Sequence, residues 1–202
     1  MTSKWSVLMM AIFSGQAWAD SEAAQCTYTL SEAKPGWTAF KTTEKVGVSG
    51  SFADYTLSSS TPATTLSKTL EGVKMSIVPS SVDSGVEIRN QTIATKYFAA
   101  FAPDTPFEVT VESVSGDDKA GTAKLQVNIN GTQKTLDFPY TVNESGELSA
   151  KATMEMMDFG LKAAFDGIHL ACEALHKGAD GVSKTWTDVD LSVTAKITKT
   201  CE

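Results

Sequence analysis

Apolar and polar residues alternate with a period of two along most of the second half of the chain. Phe107, Val109 and Val111 alternate with Glu108, Thr110 and Glu112, and Leu125, Val127 and Ile129 with Lys124, Gln126 and Asn128. Leu136, Phe138, Tyr140 and Val142 are separated by Asp137, Pro139 and Thr141. Leu148, Ala150, Ala152, Met154 and Met156 form a fourth run, and Val189, Leu191, Val193, Ala195 and Ile197 a fifth. Val73, Met75 and Ile77 make a shorter one, and Val46 to Phe52 another. Each run has one apolar and one polar face, the pattern of a half-buried antiparallel strand. Turn signals separate them at Gly116-Asp117-Asp118, Asn130-Gly131 and Asn143 to Gly146. Asn-Gly is a strong two-residue hairpin signal because both positions accept positive φ. Pro139 lies on the polar face, so its position makes no ladder bond or sits at a bulge.

Two segments break the alternation. Residues 86–102 carry Ile88, Ile93, Tyr97, Phe98 and Phe101 at loosely helical spacing, and residues 160–176 carry a clearer helical set from Leu161 to Leu175. Gly178 stands where a helix C-cap would fall. Gly167 lies in the middle of that helix, where glycine costs about 1 kcal/mol relative to alanine. The elements predict a mainly β domain of seven or eight antiparallel strands with two helical insertions, as an up-and-down barrel or a sandwich. Residues 58–65 are rich in Ser and Thr but short enough to be a loop, and there is no domain linker.

The N-terminus sets the compartment. Lys4 precedes the apolar run Val7 to Phe13, and Ala17-Trp18-Ala19 follows, which is the three-part pattern of a signal peptide. The reading is a signal peptide at residues 1–19 and one domain at 20–202. The run is too short to span a bilayer, which needs about 20 apolar residues. No later segment is long and apolar enough either, so no integral membrane segment remains after cleavage. A periplasmic or secreted protein is expected. The chain has 17 Lys+Arg against 24 Asp+Glu, a net charge of −7, and Arg89 is its single arginine. A nucleic-acid partner, which needs a dense basic patch, is excluded. Three cysteines are too few for a disulfide scaffold, and the odd count leaves one unpaired or shared with a partner.

The catalytic inventory is thin. His169 and His176 are the only histidines, and with Cys172 and Asp166 they fall near one helix face. That spacing offers an alternative reading as a metal- or haem-associated redox protein. The plainer reading, an ordinary helix with one buried cysteine and two surface histidines, is preferred, and no metal is assigned. There is no Gly-x-Ser-x-Gly elbow and no phosphate loop. Asp117-Asp118 reads as a solvated turn. Arg89 either anchors a carboxylate, the preferred reading, or meets a polar ligand head group. The protein is expected not to be an enzyme and to need no cofactor. The apolar strand faces either fill the interior or line a cavity, and Met75, Met154 and Met156 suit an adaptable lining.

Several stretches in order resemble the YceI-like family of exported, lipocalin-like polyisoprenoid-binding proteins. Gly47-Val48-Ser49-Gly50-Ser51-Phe52 is similar to its early V-x-G-x-F strand. Ser80 to Gly85, then Arg89-Asn90 and Tyr97-Phe98, resembles its S-x-x-T block with the following Arg-Asp and Phe-Phe. Leu125 to Asn130 with Lys134-Thr135-Leu136 resembles its central hairpin, Met157 to Leu161 its D-F-G-L turn, and Trp186 to Leu191 its closing strand. Residues 171–178 resemble a branch with a cysteine-containing helix before the last strand. The family's histidine after the Arg-Asp pair is Thr92 here.

The resemblance implies an eight-stranded antiparallel lipocalin-like barrel around an elongated apolar cavity. It implies non-catalytic binding, transport or storage of a long-chain apolar lipid: an isoprenoid, a quinone tail or a fatty amide. The lining expected from the inward faces comprises Phe52, Val73, Met75, Ile77, Tyr97, Phe98, Phe107, Val109, Val111, Leu125, Val127, Ile129, Leu136, Phe138, Tyr140, Met154, Met156, Phe159, Leu191 and Val193. Arg89 and Asn90 carry over by position as head-group contacts. In such a barrel the first strand pairs with the last, which implies a Cys26–Cys201 bridge with Cys172 free. Cys26–Cys172 is the rival, pinning the helix instead. The oligomeric state stays open, a homodimer included.

Overall fold

A computed structural model describes residues 25–103 and 105–202. The signal peptide expected at residues 1–19 lies outside the described residues. Ten strands form one antiparallel sheet: β1 Cys26–Lys41, β2 Val46–Phe52, β3 Tyr55–Leu57, β4 Lys74–Ile77, β5 Val82–Asp83, β6 Phe107–Gly116, β7 Ala120–Ile129, β8 Thr132–Val142, β9 Glu147–Glu155 and β10 Thr185–Cys201. Their spatial order is β3-β4-β6-β7-β8-β9-β10-β1-β2-β5. The lipocalin-like class is as expected, with ten strands in place of eight. The two additions, β3 and β5, have three and two residues and form the edges of the sheet.

The sheet curls without closing its ladder. Its two ends meet at one corner through turn bonds: Ala53 N–H donates to the Ser81 carbonyl at 2.9 Å, and Val78 N–H to the Asp54 carbonyl at 3.0 Å. The seam between first and last strands is the longest pairing, running from Cys26↔Cys201 to Lys41↔Thr185. The disulfide joins Cys26 to Cys201, and Cys172 is free and buried. The rival Cys26–Cys172 pairing is therefore wrong.

A short helix, α1 Leu66–Leu70, closes one end against β1 and β6. Thr65 caps it, its hydroxyl accepting from Lys68 N–H at 3.3 Å, and the buried Thr69 hydroxyl donates to the Tyr28 carbonyl at 3.2 Å. At the same end Tyr28 Oη donates to Asp118 at 2.9 Å and Lys199 pairs with that carboxylate at 2.6 Å. Asp117 accepts from the Lys119 and Ala120 amides at 2.8 and 3.0 Å. The Asp117-Asp118 turn is thus solvated, as expected, and its Asp118 carboxylate also ties the turn to Tyr28 and Lys199.

The other end is capped by two helical segments that pack on each other. The first is α2 Glu87–Thr92, followed by a π-helical turn at Ile93–Tyr97 and a 3-10 turn at Phe98–Ala100. Thr92 and Thr95 hydroxyls donate back to the Ile88 and Gln91 carbonyls at 2.8 and 2.7 Å, the kind of back-bonding that bends helices. The second is α3 Lys162–Ala171, followed by a 3-10 turn at Glu173–His176. The helix ends earlier than the apolar spacing indicates, and Gly178 does not cap it. Cys172 takes the C-cap position, with its N–H on the Ile168 carbonyl, while Gly178 N–H donates to Val182 in the next loop. Gly167 has a positive reason to be glycine: a Cβ there would strike the Lys96 carbonyl, so its absence lets α3 touch the π-turn.

The family-like Val48-x-Gly50-x-Phe52 pattern also has a packing cause. Trp37 lies directly across from Gly50, and a Cβ on Gly50 would meet both the indole and the Asp83 carbonyl. Pro139 marks where β8 parts from β9, since their pairing runs only from Tyr140 to Val142. The 3-10 turn Met156–Phe159 packs against both strands.

Candidate ligand-binding cavity

The curled sheet encloses a cavity of about 580 Å3. Successive inward residues of neighbouring strands line it because the strands pair in register with a common apolar face. Val73 before β4, with Met75 and Ile77, faces Phe107, Val109 and Val111 of β6. Leu125, Val127 and Ile129 of β7 and Phe138 and Tyr140 of β8 continue the wall. Met154, Met156, Leu191 and Val193 line the other side, with Phe52, Tyr97 and Phe98. Leu136 and Phe159 do not line the cavity. Leu136, opposite Leu125, packs into the wall. Phe159 is 2% exposed, held in the turn that ends at Gly160 with φ 69°, so the D-F-G motif serves folding.

Arg89 lines the cavity and pairs with no carboxylate among the described residues, against the anchoring role preferred from sequence. Asn90 does not line it. Its side-chain oxygen accepts from Ser84 N–H at 2.8 Å and the Ser84 hydroxyl at 2.7 Å, and its amide donates to Asp83 at 3.2 Å. That network spends the side chain on shaping the loop before α2.

An aromatic nest lies under the first cap. Phe52 meets Phe107 edge-on at 5.9 Å, Phe98 meets Phe101 at 5.4 Å and Tyr97 meets Phe98 at 5.1 Å. Such edge-to-face pairs are favourable beyond the area they bury. Burial pushes the Tyr97 phenol above its ordinary pKa, so it stays protonated.

Several lining residues are not apparent from period two. Leu30, Ala33, Pro35, Trp37 and Ala39 of β1 all contribute, as do Ile168 and Leu175 from the α3 segment. Val86, Ile88 and Leu175 line the cavity and are also exposed, Ile88 at 70% and Leu175 at 72%. They mark the mouth, between α2 and the 3-10 turn after α3.

A cluster of polar lining groups lies at that capped end. Lys41 and Thr185 are direct partners across the seam. Thr185 Oγ1 lies 2.7 Å from His176 Nδ1 and 3.0 Å from His169 Nδ1. A single hydroxyl bridges two imidazoles by donating to one and accepting from the other. Burial, then the charges of Lys41 and His169, hold His176 below the ordinary imidazole pKa. Burial pushes the Cys172 thiol up against the opposing pull of Lys41, so it is a protonated, unreactive thiol.

This arrangement does not support the metal or haem alternative. Asp166 is held by Lys162 at 2.6 Å, both histidines turn Nδ1 to the Thr185 hydroxyl, and the helix ends before His176. Among the described residues no cluster of three His, Cys, Asp or Glu is placed to hold a metal. No helix among them is long and apolar enough to cross a membrane.

A curled antiparallel sheet, plugged at one end, capped at the other and hollow between, defines a lipocalin-like binding domain. The YceI-like domain family matches residues 26–197, and the chain belongs to that family. Solved structures agree on the fold. A polyisoprenoid-binding domain from Saccharophagus degradans, implicated in plant cell wall breakdown, is similar at 14% identity with a TM-score of 0.57, covering 87% of this chain and 98% of that one. BcnA of Burkholderia cenocepacia is similar at 13% identity and a TM-score of 0.55, over 82% and 96% of the two chains. A mutant of the Campylobacter jejuni YceI protein gives 18% identity and a TM-score of 0.52, over 78% and 86%. No curated protein matches the sequence.

Proposed function

We propose that the protein binds a long-chain isoprenoid or comparable lipid in this cavity, as a non-catalytic carrier or store in the periplasm. The observation that carries the reading is the cavity itself: about 580 Å3 lined almost throughout by aliphatic and aromatic side chains. Its volume lies within the roughly 300–1,000 Å3 range of ligand pockets. At about 30 Å3 per chain carbon, the volume of a liquid water, it has room for on the order of 20 carbons. Each buried methylene contributes about 0.8 kcal/mol, so a tail of that length is held with few polar contacts. Membership of the YceI-like family, and a structural relative described as polyisoprenoid-binding, support an isoprenoid tail. The Cys26–Cys201 bridge and the leader pattern support an oxidising, exported location.

The test is solvent extraction and native mass spectrometry of the exported protein, followed by titration of the delipidated protein with a polyprenyl alcohol. A long-chain lipid bound one to one, and saturable rebinding, are expected. A delipidated protein that binds no long-chain lipid refutes the reading.

A further inference from the structure

The capped end of the cavity has a charge imbalance that an apolar tail leaves unexplained. Lys41 lines the cavity and is half-buried, and the register places it opposite Thr185. Like eight other lysines of the described residues, Lys41 has no carboxylate partner; what sets it apart is that it is half-buried at the cavity lining. The acidic groups of the neighbouring loops are engaged elsewhere. Asp188 holds Lys45 at 2.6 Å, and Asp180 accepts from Thr43 at 2.8 Å and from Val182 N–H at 2.9 Å. Glu44 is exposed.

Lys41 is the charged donor of the group. Its ammonium has three N–H bonds; of the two imidazoles, one spends its Nδ1–H on Thr185 Oγ1 and the other accepts from that hydroxyl and keeps a free Nε2–H. Arg89 and the exposed Lys74 are the other lining cations, likewise without a carboxylate partner among the described residues. Burying a charge costs free energy unless something pairs with it, and among the described residues no carboxylate pairs with Lys41. The complement of such a set is an acceptor-only, negatively charged group, and charge-assisted bonds to it are about twice as strong as neutral ones.

We propose that Lys41, with Thr185 and His176 beside it, is a head-group site for an anionic amphiphile, carboxylate or phosphate, whose tail occupies the apolar cavity. This rests on the lipid-binding reading above and adds the head that the cavity selects. Lys41 supplies the charge. Thr185, fixed between the two histidines, holds His176 in one orientation at the lining. The tail then runs inward past Trp37 and Leu191.

The experiment uses the delipidated mature protein and two chain-matched pairs: oleate against oleyl alcohol, and farnesyl phosphate against farnesol. In low salt at neutral pH, at least one anion is expected to bind tenfold or more tightly than its own alcohol. Lys41→Met keeps the aliphatic stem and removes the charge. It is expected to bring that ratio below threefold by weakening the anion more than the alcohol. Lys124→Met, on the outer surface, leaves the ratio intact. The pair with the larger ratio identifies the head as carboxylate or phosphate. Equal affinities within both pairs, or a preference that survives Lys41→Met, overturn the head-group site while the lipid-binding reading stands. Failure of all four ligands to bind overturns the lipid-binding reading itself.

Discussion

Replacing Cys26 and Cys201 together by alanine removes a cross-link that closes 175 residues of sequence separation. In the chain-entropy treatment a loop of that length contributes about 5 kcal/mol at 25 °C by restricting the unfolded chain. A domain has only about 5–15 kcal/mol in all, so the loss takes at least a third of the total. The folded state changes little at the site, because Gln25 and Glu202 still exchange backbone hydrogen bonds at 3.1 Å and the seam ladder runs on to Lys41↔Thr185. The effect therefore resides in the unfolded ensemble. Urea unfolding of the double variant should show a lower midpoint together with a steeper m-value, since the released chain exposes more surface. Thiol titration of the denatured, unreduced wild type should find one cysteine, Cys172. A loss below about 1 kcal/mol with an unchanged m-value refutes the argument, because it means the unfolded chain is not held by the bridge.

Two further perturbations act on the cap. Gly167→Ala should destabilise the protein and speed lipid release, because the new Cβ meets the Lys96 carbonyl and outweighs the helix-propensity gain of about 1 kcal/mol; a stabilised variant with unchanged release counts against the close contact. His176 is held below the ordinary imidazole value by burial and by the charges of Lys41 and His169, so between its folded pKa and the unfolded value near 6.5 the unfolded chain binds more protons. Stability should fall as pH is lowered through that window, and His176→Gln should flatten the slope in a denaturation series; stability that rises on acidification there contradicts the assignment.

How legible the fold was depends on where the alternation is interrupted. Within each of β7 to β10 the inward residues keep one parity, and the strands are plain in the sequence. In β1 a bulge between Leu30 and Glu32 shifts the parity. Tyr28 and Leu30 are apolar at even positions, whereas Ala33, Pro35, Trp37 and Ala39 are apolar at odd ones. A fixed period of two therefore loses a strand that contributes eight lining residues. In β6 a bulge between Val111 and Ser113 does the same, hiding Val114. Strands of two and three residues, such as β5 and β3, carry no period at all. Phe159 falls in the turn after β9, where alternation stops, and its ring goes into the core and not into the lining. The polar cluster was invisible for another reason. Lys41 and Thr185 are 144 positions apart, and only the seam register makes them neighbours.

Sequence also left open whether the apolar faces pack against one another or enclose a space, and both happen in one sheet. Leu125, Val127, Phe138 and Tyr140 are buried, whereas Val109, Val111, Leu191 and Val193 on the same inward face keep accessible surface that opens on the cavity. Those four are mid-sized, and their positions on β6 and β10 leave the hollow that larger side chains would fill. A dry apolar void forfeits the contacts its walls would make, at about 24 cal/mol per Å3 in cavity-creating mutants. For 580 Å3 that is at most about 14 kcal/mol, as large as the stability of a whole domain. Water entering at the mouth reduces the penalty, and a lipid tail removes most of it by restoring wall contacts. The loaded protein should therefore melt well above the delipidated one. A ligand at 1,000 times its dissociation constant adds about 4 kcal/mol, which for a domain of 150–250 residues raises Tm by roughly 8–16 °C. Differential scanning calorimetry of the delipidated protein, alone and after reloading with a polyprenyl alcohol, measures this directly. Coincident transitions mean that the hollow collapses or stays hydrated without cost, and that an occupied cavity is not what the fold is built around.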